Sequence, residues 1–255
     1  MSLHSGNHPS DESGSPAGAS QPVCCGTCGL RDVCMVEGLS AADLDRLTGM
    51  VSLRRRVKRG EPLFRSGDAF DAVYPVHFGF FKTRVTSEDG REQITGFPMP
   101  GDVLGFDAIS AGAFQCDAIA LEDAEVCVVP FRQLEALSRE FDSLQRQLHR
   151  VLSREIVRDQ GVMMLLGTMR AEQRVATFLL SLSRRFEQRG FSPHDFNLRM
   201  TREEIGNFLG LKLETVSRTL SRLQEEGVVT VDGKRLRIAQ QGRLHELAGV
   251  GLSIE

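Results

Sequence analysis

Between about residues 50 and 130, short runs rich in Val, Ile and Phe are separated by glycines at a steady interval, Gly79, Gly90, Gly101 and Gly112. Strands punctuated about every 8–12 residues predict an all-β roll or barrel. FKTRVT, SEDG and REQITGF read as a hairpin, with Gly90 supplying the positive φ that a tight connection requires. EVCVVPF reads as a late strand. After Pro130 the apolar period lengthens, and residues 141–168 read as one long helix. Along it Leu152, Ile156, Asp159, Met163 and Leu166 recur at steps of 4, 3, 4 and 3, the spacing of a coiled-coil seam. Leu144, Leu148 and Val151 form a second apolar face suited to packing on the β-roll, which leaves the seam for another subunit unless both faces bury within one chain.

A second unit begins near residue 170. Thr201-x-x-Glu204 is a capping box opening a short helix, EEIGNFLG, in which Gly206 and Gly210 permit close helix contact and a tight turn. LETVSRTLSRLQEEG follows as a second helix with Val216, Leu220 and Leu223 facing inward. VVTV-DG-KRLRI then reads as a β-hairpin turning at Asp232-Gly233, the wing that often flanks a helix-turn-helix. The fold class is therefore α+β. Its parts are a disordered tail (1–22), a cysteine-rich loop (23–38), a β-roll domain (39–136), a long dimerisation helix (137–169) and a winged helix-turn-helix domain (170–255).

Composition adjusts this picture in two places. The tail is rich in Ser, Gly and Pro with almost no large apolar side chains, so it cannot bury enough surface to offset its ordering entropy. No apolar run is long enough to span a membrane and the N-terminus lacks a secretory pattern, which predicts a cytoplasmic protein. The net charge of −3 gives no hint of nucleic-acid binding, but residues 199–238 carry eight Lys/Arg against six Asp/Glu, a local positive excess. Near the start of the second helix, Arg218 can donate two bonds to a guanine and Glu214 can accept from a cytosine amine. Ser217 is short enough to approach a base, and Thr215 and Lys212 flank them, so all five are candidate DNA contacts unless Glu214 and Arg218 form a surface pair.

The sharpest chemistry lies in Cys25-x2-Cys28-x5-Cys34 and the distant Cys127. Disulfides are reduced in the cytoplasm, so this grouping favours metal binding. The spacing fits neither the paired pattern of ordinary zinc sites nor the regular ferredoxin run, and alone permits zinc or iron–sulfur. Cys24 could replace Cys25 by a one-residue shift of the loop, whereas Cys116 reads as a small buried apolar residue. At the seam, Asp159 would approach its own copy in a symmetric dimer. Carboxylates about 6 Å apart at an effective dielectric near 20 repel by about 3 kcal/mol, which would weaken association about a hundredfold unless Asp159 reaches solvent at the seam's edge.

These elements together resemble the CRP/FNR superfamily of bacterial regulators, and most closely its FNR-type oxygen sensors. The likeness rests on GREQITGFPMPGDVLGFDAI, REIVRDQ, LSRRFEQRGFSPHDFNLRMTREEIGNFLGLKLETVSR and the cysteine spacing. It implies a β-roll like that of cyclic-nucleotide-binding domains and a [4Fe–4S] cluster held by Cys25, Cys28, Cys34 and Cys127. By the same resemblance, oxygen would convert the cluster to a [2Fe–2S] form and then destroy it. The intact form would dimerise along the long helix and bind double-stranded DNA at TTGAT-type palindromes near genes of anaerobic or microaerobic respiration. Asp159 matches the interface carboxylate that keeps the cluster-free protein monomeric. The SEDG turn and residues 184–192 would contact RNA polymerase.

Three competing readings make different demands. A cyclic nucleotide is disfavoured, because residues 101–123, where relatives cradle its phosphate, hold no Lys or Arg and five acids. A DNA-binding regulator with structural zinc and no oxygen switch would be colourless and air-stable. An iron–sulfur enzyme or electron carrier would leave the winged helix unexplained, and no nucleophile elbow, phosphate loop or paired catalytic carboxylates stand out; the expectation is that the protein is not an enzyme.

Overall fold

The computed structural model describes residues 25–50 and 53–249. The tail predicted at residues 1–22, and Cys24, lie outside the described residues. The cysteine loop leads into α1 (Ala41–Met50), whose entry is marked by Ser40: its Oγ accepts from the Asp43 backbone N–H at 3.2 Å.

Eight strands follow: β1 (Leu53–Val57), β2 (Pro62–Phe64), β3 (Ala72–Phe78), β4 (Phe81–Thr86), β5 (Glu92–Gly96), β6 (Val103–Leu104), β7 (Asp117–Ala120) and β8 (Ala124–Pro130). They form two four-stranded antiparallel sheets ordered β1-β8-β3-β6 and β2-β7-β4-β5. Tyr74, Val76, Phe81, Leu104, Ala118 and Val126 fill the space between them, and Phe114 stacks on Phe64 at 3.8 Å. The glycine spacing marked real turns. At Gly101, φ is 97°, and a Cβ would stand 2.8 Å from Val33 Cγ2, so only a glycine lets the cysteine loop rest this close to the sheet.

The long helical stretch differs from its predicted form in one respect. Residues 137–140 complete a separate helix, α2 (Phe131–Glu140), and the long helix α3 runs Asp142–Thr168. Phe141 between them is extended (φ −127°, ψ 105°). No Pro or Gly signals this break; it is held from α1, where Arg46 lies 4.2 Å from the centre of the Phe141 ring and Asp43 accepts from Ser143 Oγ at 2.9 Å. The second apolar face packs as expected: Leu144 and Val151 are buried and Leu148 partly so, against Met35, Val36, Leu39, Leu44 and Leu47 of the loop and α1.

The C-terminal half comprises α4 (Ala171–Gln188), β9 (Asp195–Asn197), α5 (Arg202–Leu209), α6 (Leu213–Glu225), β10 (Val229–Asp232), β11 (Arg235–Ile238) and α7 (Gln241–Ala248). The capping box forms as predicted, Thr201 Oγ1 accepting from Glu204 N at 3.1 Å and Glu204 Oε2 from Thr201 N at 2.7 Å. Gly210 ends α5 in the left-handed region (φ 62°), and a Cβ on Gly206 would sit 2.7 Å from the Leu211 carbonyl oxygen. Val216, Leu220 and Leu223 are buried. In the wing Asp232 pairs with Arg235, so the two-residue connection is Gly233-Lys234 rather than Asp232-Gly233, and a third strand, β9, completes the sheet β10-β11-β9.

The two halves are joined by side chains. Ile94 and Phe97 of the roll enter the C-terminal core beside Phe178 and Phe208. Asn207 accepts from Ile94 N at 2.5 Å and donates to the Glu92 carbonyl at 2.9 Å, acting as a short strand against the β5 edge. Lys82 pairs with Glu204 at 2.7 Å, Arg199 with Glu122 at 3.1 Å, and both Arg185 and Arg189 with Asp102. Among the described residues, no helix is long and apolar enough to cross a membrane.

Candidate metal centre and nucleic-acid interface

The cysteine loop winds through successive turns, with Cys28 N donating to Cys25 O, Arg31 N to Cys28 O, and Cys34 N to Leu30 O. This winding brings three thiols to one side of the loop, and Cys25 N is tied to Thr48 Oγ1 of α1 at 3.3 Å. Cys127 is supplied by β8. All four cysteines line one cavity between loop and sheet, walled otherwise mainly by apolar side chains such as Leu30, Met35, Val36, Leu47, Val76 and Val129. The open space among them is small, about 30 Å³.

Burial pushes the Cys34 thiol up to about 12 and the Cys127 thiol up to about 11. Neighbouring thiols add to both effects, since a second negative sulfur close by opposes ionisation. The Arg54 charge opposes the rise at Cys127 without cancelling it; a bound metal would displace the protons of Cys34 and Cys127. Among the described residues no three His, Cys, Asp or Glu side chains are grouped so as to hold a metal ion. The thiols share a cavity without meeting at a point.

Two wall residues, Arg54 and His77, and Glu125 behind them carry no motif spacing and escaped the sequence reading. Arg54 of β1 is the direct cross-strand partner of Cys127. His77 of β3 places Nδ1 3.9 Å from Cys28 Sγ. Glu125 of β8 accepts from Arg54 Nη1 at 3.3 Å and faces His77 Nε2 at 4.0 Å. Burial, then the Arg54 charge, lower the His77 pKa, with Glu125 opposing them. Only strand register brings these residues together. Cys116 lies instead in the core between the sheets, where burial and then Asp107 raise its thiol pKa.

Where a cyclic-nucleotide phosphate would lie in relatives, the acids satisfy the chain itself. Asp107 accepts from Gln115 N at 2.8 Å, and Asp117 from Ser66 N at 3.0 Å and Arg84 Nε at 3.0 Å.

On α3, the seam positions Ile156 and Met163 are 58% and 65% exposed, and Val157 and Met164 beside them are also exposed. Asp159 is exposed within this stripe, Leu152 is half-buried, and Leu166 leans on the C-terminal core. Near the start of α6, Lys212, Glu214 and Arg218 are exposed and Thr215 and Ser217 half-buried. Arg218 Nε donates to the Glu214 carbonyl at 3.4 Å rather than to its carboxylate, and among the described residues neither side chain is in an ion pair.

Residues 54–141 match the cyclic nucleotide-binding domain family and residues 173–247 the Crp-like helix-turn-helix domain family. The transcriptional regulatory protein Btr of Bordetella pertussis is 43% identical over 225 residues, covering 88% of this chain and 93% of that protein. The fumarate and nitrate reduction regulatory protein of Escherichia coli K12 is 42% identical, covering 88% and 90%. The transcriptional activator protein Anr of Pseudomonas protegens is 44% identical, covering 88% and 92%. Among solved structures, FixK2 from Bradyrhizobium japonicum superposes with a TM-score of 0.71 at 32% identity, covering 78% of this chain and 98% of that one.

Proposed function

The chain belongs to the CRP/FNR family of transcription regulators and is not an enzyme, and from that premise we propose that it is an oxygen-responsive regulator in which Cys25, Cys28, Cys34 and Cys127 hold a [4Fe–4S] cluster. The observation that carries this reading is the convergence of four thiols, from a loop and a distant strand, on one mainly apolar cavity. Four soft sulfur donors suit iron–sulfur chemistry, and the Arg54 guanidinium beside Cys127 suits an anionic group in that place. When bound, the cluster would supply an oxygen-labile link between loop and β8.

The chain's own packing offers a route from that link to the helix. A group bound to all four thiols would fix where the loop sits against β8. Met35, Val36 and Leu39 of the loop pack with Leu144 and Val151 of α3, and Glu37 pairs with Arg154 of α3 at 2.6 Å. Moving the loop therefore moves what α3 rests on. The exposed Ile156–Met163 stripe would bury against the same stripe of a second copy, against the repulsion of two Asp159 carboxylates. A dimer sets two α6 helices about 34 Å apart to read successive major-groove turns through Arg218, Glu214, Ser217, Thr215 and Lys212.

RNA polymerase would meet the exposed SEDG turn, residues 87–90, and the exposed Glu187, Gln188 and Phe191. Arg185 and Arg189 in that second segment are engaged by Asp102. Cyclic nucleotide is not the effector, the aromatic filling of the roll and its internally bonded acids supporting that exclusion.

The test is an anaerobic visible spectrum of the purified protein, followed through an oxygen pulse with size measured before and after. Broad visible absorbance that bleaches as dimer becomes monomer is the expected result. A colourless, zinc-containing dimer unchanged by air would overturn oxygen sensing and leave DNA binding standing.

A further inference from the structure

The cavity wall holds a cation that four thiol ligands alone leave unexplained. Arg54 stands directly across the β1–β8 pairing from Cys127, and both side chains line the cavity. Its side chain is only 19% exposed, its Nε–H is buried with no acceptor among the described residues, and its guanidinium already acts on the Cys127 thiol, lowering its pKa against the effect of burial. Burying a donor without an acceptor is unfavourable unless something supplies one. Arg31, the other arginine on the wall, is already spent on the Leu39 carbonyl at 3.2 Å.

Glu125 explains why Arg54 stays there. It takes Nη1 at 3.3 Å, draws Arg56 Nε to 3.5 Å and faces His77 Nε2 at 4.0 Å. The carboxylate thus anchors one edge of the Arg54 guanidinium and leaves Nε–H over. A ligated thiolate at Cys127 is an acceptor of the right charge, and a neighbouring guanidinium favours that thiolate over the thiol. His77, with Nδ1 3.9 Å from Cys28 Sγ, sets the same carboxylate behind a second ligand.

We infer that Arg54, anchored by Glu125, is a positioning residue that donates its Nε–H to the Cys127 thiolate of the ligated site. It thereby governs how firmly the site holds iron and at what potential. This rests on the reading of the four cysteines as iron–sulfur ligands. Partners that orient metal ligands in this way are typically worth about 10–100-fold in metal affinity.

The experiment compares the full-length wild type with Arg54→Met, Arg54→Lys and Glu125→Gln, each reconstituted anaerobically with iron and sulfide. Readouts are iron release to a chelator, the midpoint potential, the iron–sulfur stretching bands in resonance Raman, and the melting temperature of the metal-free chain. Arg54→Met should release iron about tenfold faster or more and shift the potential negative, because a positive charge beside the site favours the reduced form. Arg54→Lys should restore most of the potential but not the Raman bands, and Glu125→Gln should move every loaded readout the same way by less.

An Arg54→Met protein matching wild type in release, potential and Raman bands overturns the inference. So does one whose metal-free melting temperature falls while the potential holds, since that is a purely structural role. A wild type that assembles no chromophore overturns the cluster reading itself, and the inference with it.

Discussion

Arg189, the residue that caps the C-terminus of α4, donates to Asp102 at 2.7 Å, and Asp102 follows directly the glycine against which the cysteine loop rests. The same carboxylate takes Arg185 and the Met99 backbone N–H, the latter at 2.8 Å. Both arginine side chains are largely buried, so the C-terminal half is anchored to the roll within one residue of the loop's own support.

Removing that carboxylate leaves two buried cations uncompensated. Asp102→Asn is expected to destabilise the chain by about 3–5 kcal/mol, measured by urea unfolding at neutral pH. Burial raises the Asp102 pKa, but Arg185, Arg189 and Arg158 outweigh it and hold the group below the usual carboxylate range. A depressed folded-state pKa means the contribution is complete above the ordinary aspartate pKa and disappears as pH falls through the lowered value. Wild type should therefore lose stability toward acid more steeply than Asp102→Asn; parallel acid limbs would contradict this.

Cysteine replacements should sort by cavity. Cys34→Ser and Cys127→Ser should each abolish iron and sulfide retention after anaerobic reconstitution, whereas Cys116→Ser should retain wild-type content, because Cys116 lies in the core between the sheets. Loss of iron in Cys116→Ser would contradict the assignment.

Asp159→Ala removes a charge from an otherwise apolar exposed stripe. Sedimentation equilibrium in air should show association tightened by about a hundredfold, the size set by two carboxylates about 6 Å apart. An Asp159→Ala chain that remains monomeric and fails to bind DNA would sink the carboxylate mechanism.

The two kinds of DNA contact proposed for α6 and its N-cap are separable. Arg218→Ala should cost about 1–3 kcal/mol on a TTGAT-type palindrome and relax preference at one base pair, while Lys212→Ala should weaken all sequences alike and flatten the salt dependence. Fluorescence anisotropy on matched and singly substituted duplexes distinguishes them.

A Cβ at residue 206 would sit 2.7 Å from the Leu211 carbonyl oxygen, a backbone atom that cannot swing aside. Gly206→Ala should destabilise the chain by about 1–3 kcal/mol in a urea melt, despite the better helix propensity of alanine. A neutral or stabilising result would show that the turn gives way freely.

Local signals were the legible ones. The Thr201/Glu204 box, the turn glycines and the hairpin around Gly90 depend on neighbours in sequence, and each formed where its residue chemistry placed it. That Cys25, Cys28, Cys34 and Cys127 belong to one neighbourhood was also readable, because thiols at motif spacing are uncommon in a chain of this size, and all four line one cavity. The break at Phe141 was not, since its cause is Arg46 and Asp43 on another helix. Arg54, Glu125 and His77 gave no signal either: their meeting depends on the β1–β8–β3 order and its register. The docking of Asn207 on β5 is of the same kind, an ordinary helix asparagine until a strand edge is beside it.

The bare Cα of Gly101 makes the turn thin where two burdens lean on it from either side. A methyl group there would act as a shim, lifting Val33 and with it the stretch carrying Cys34, while Asp102 could keep its grip on the two arginines. Such a chain would have a seated C-terminal half and an unseated cysteine loop. One missing side chain therefore lets both share a support a single residue thick.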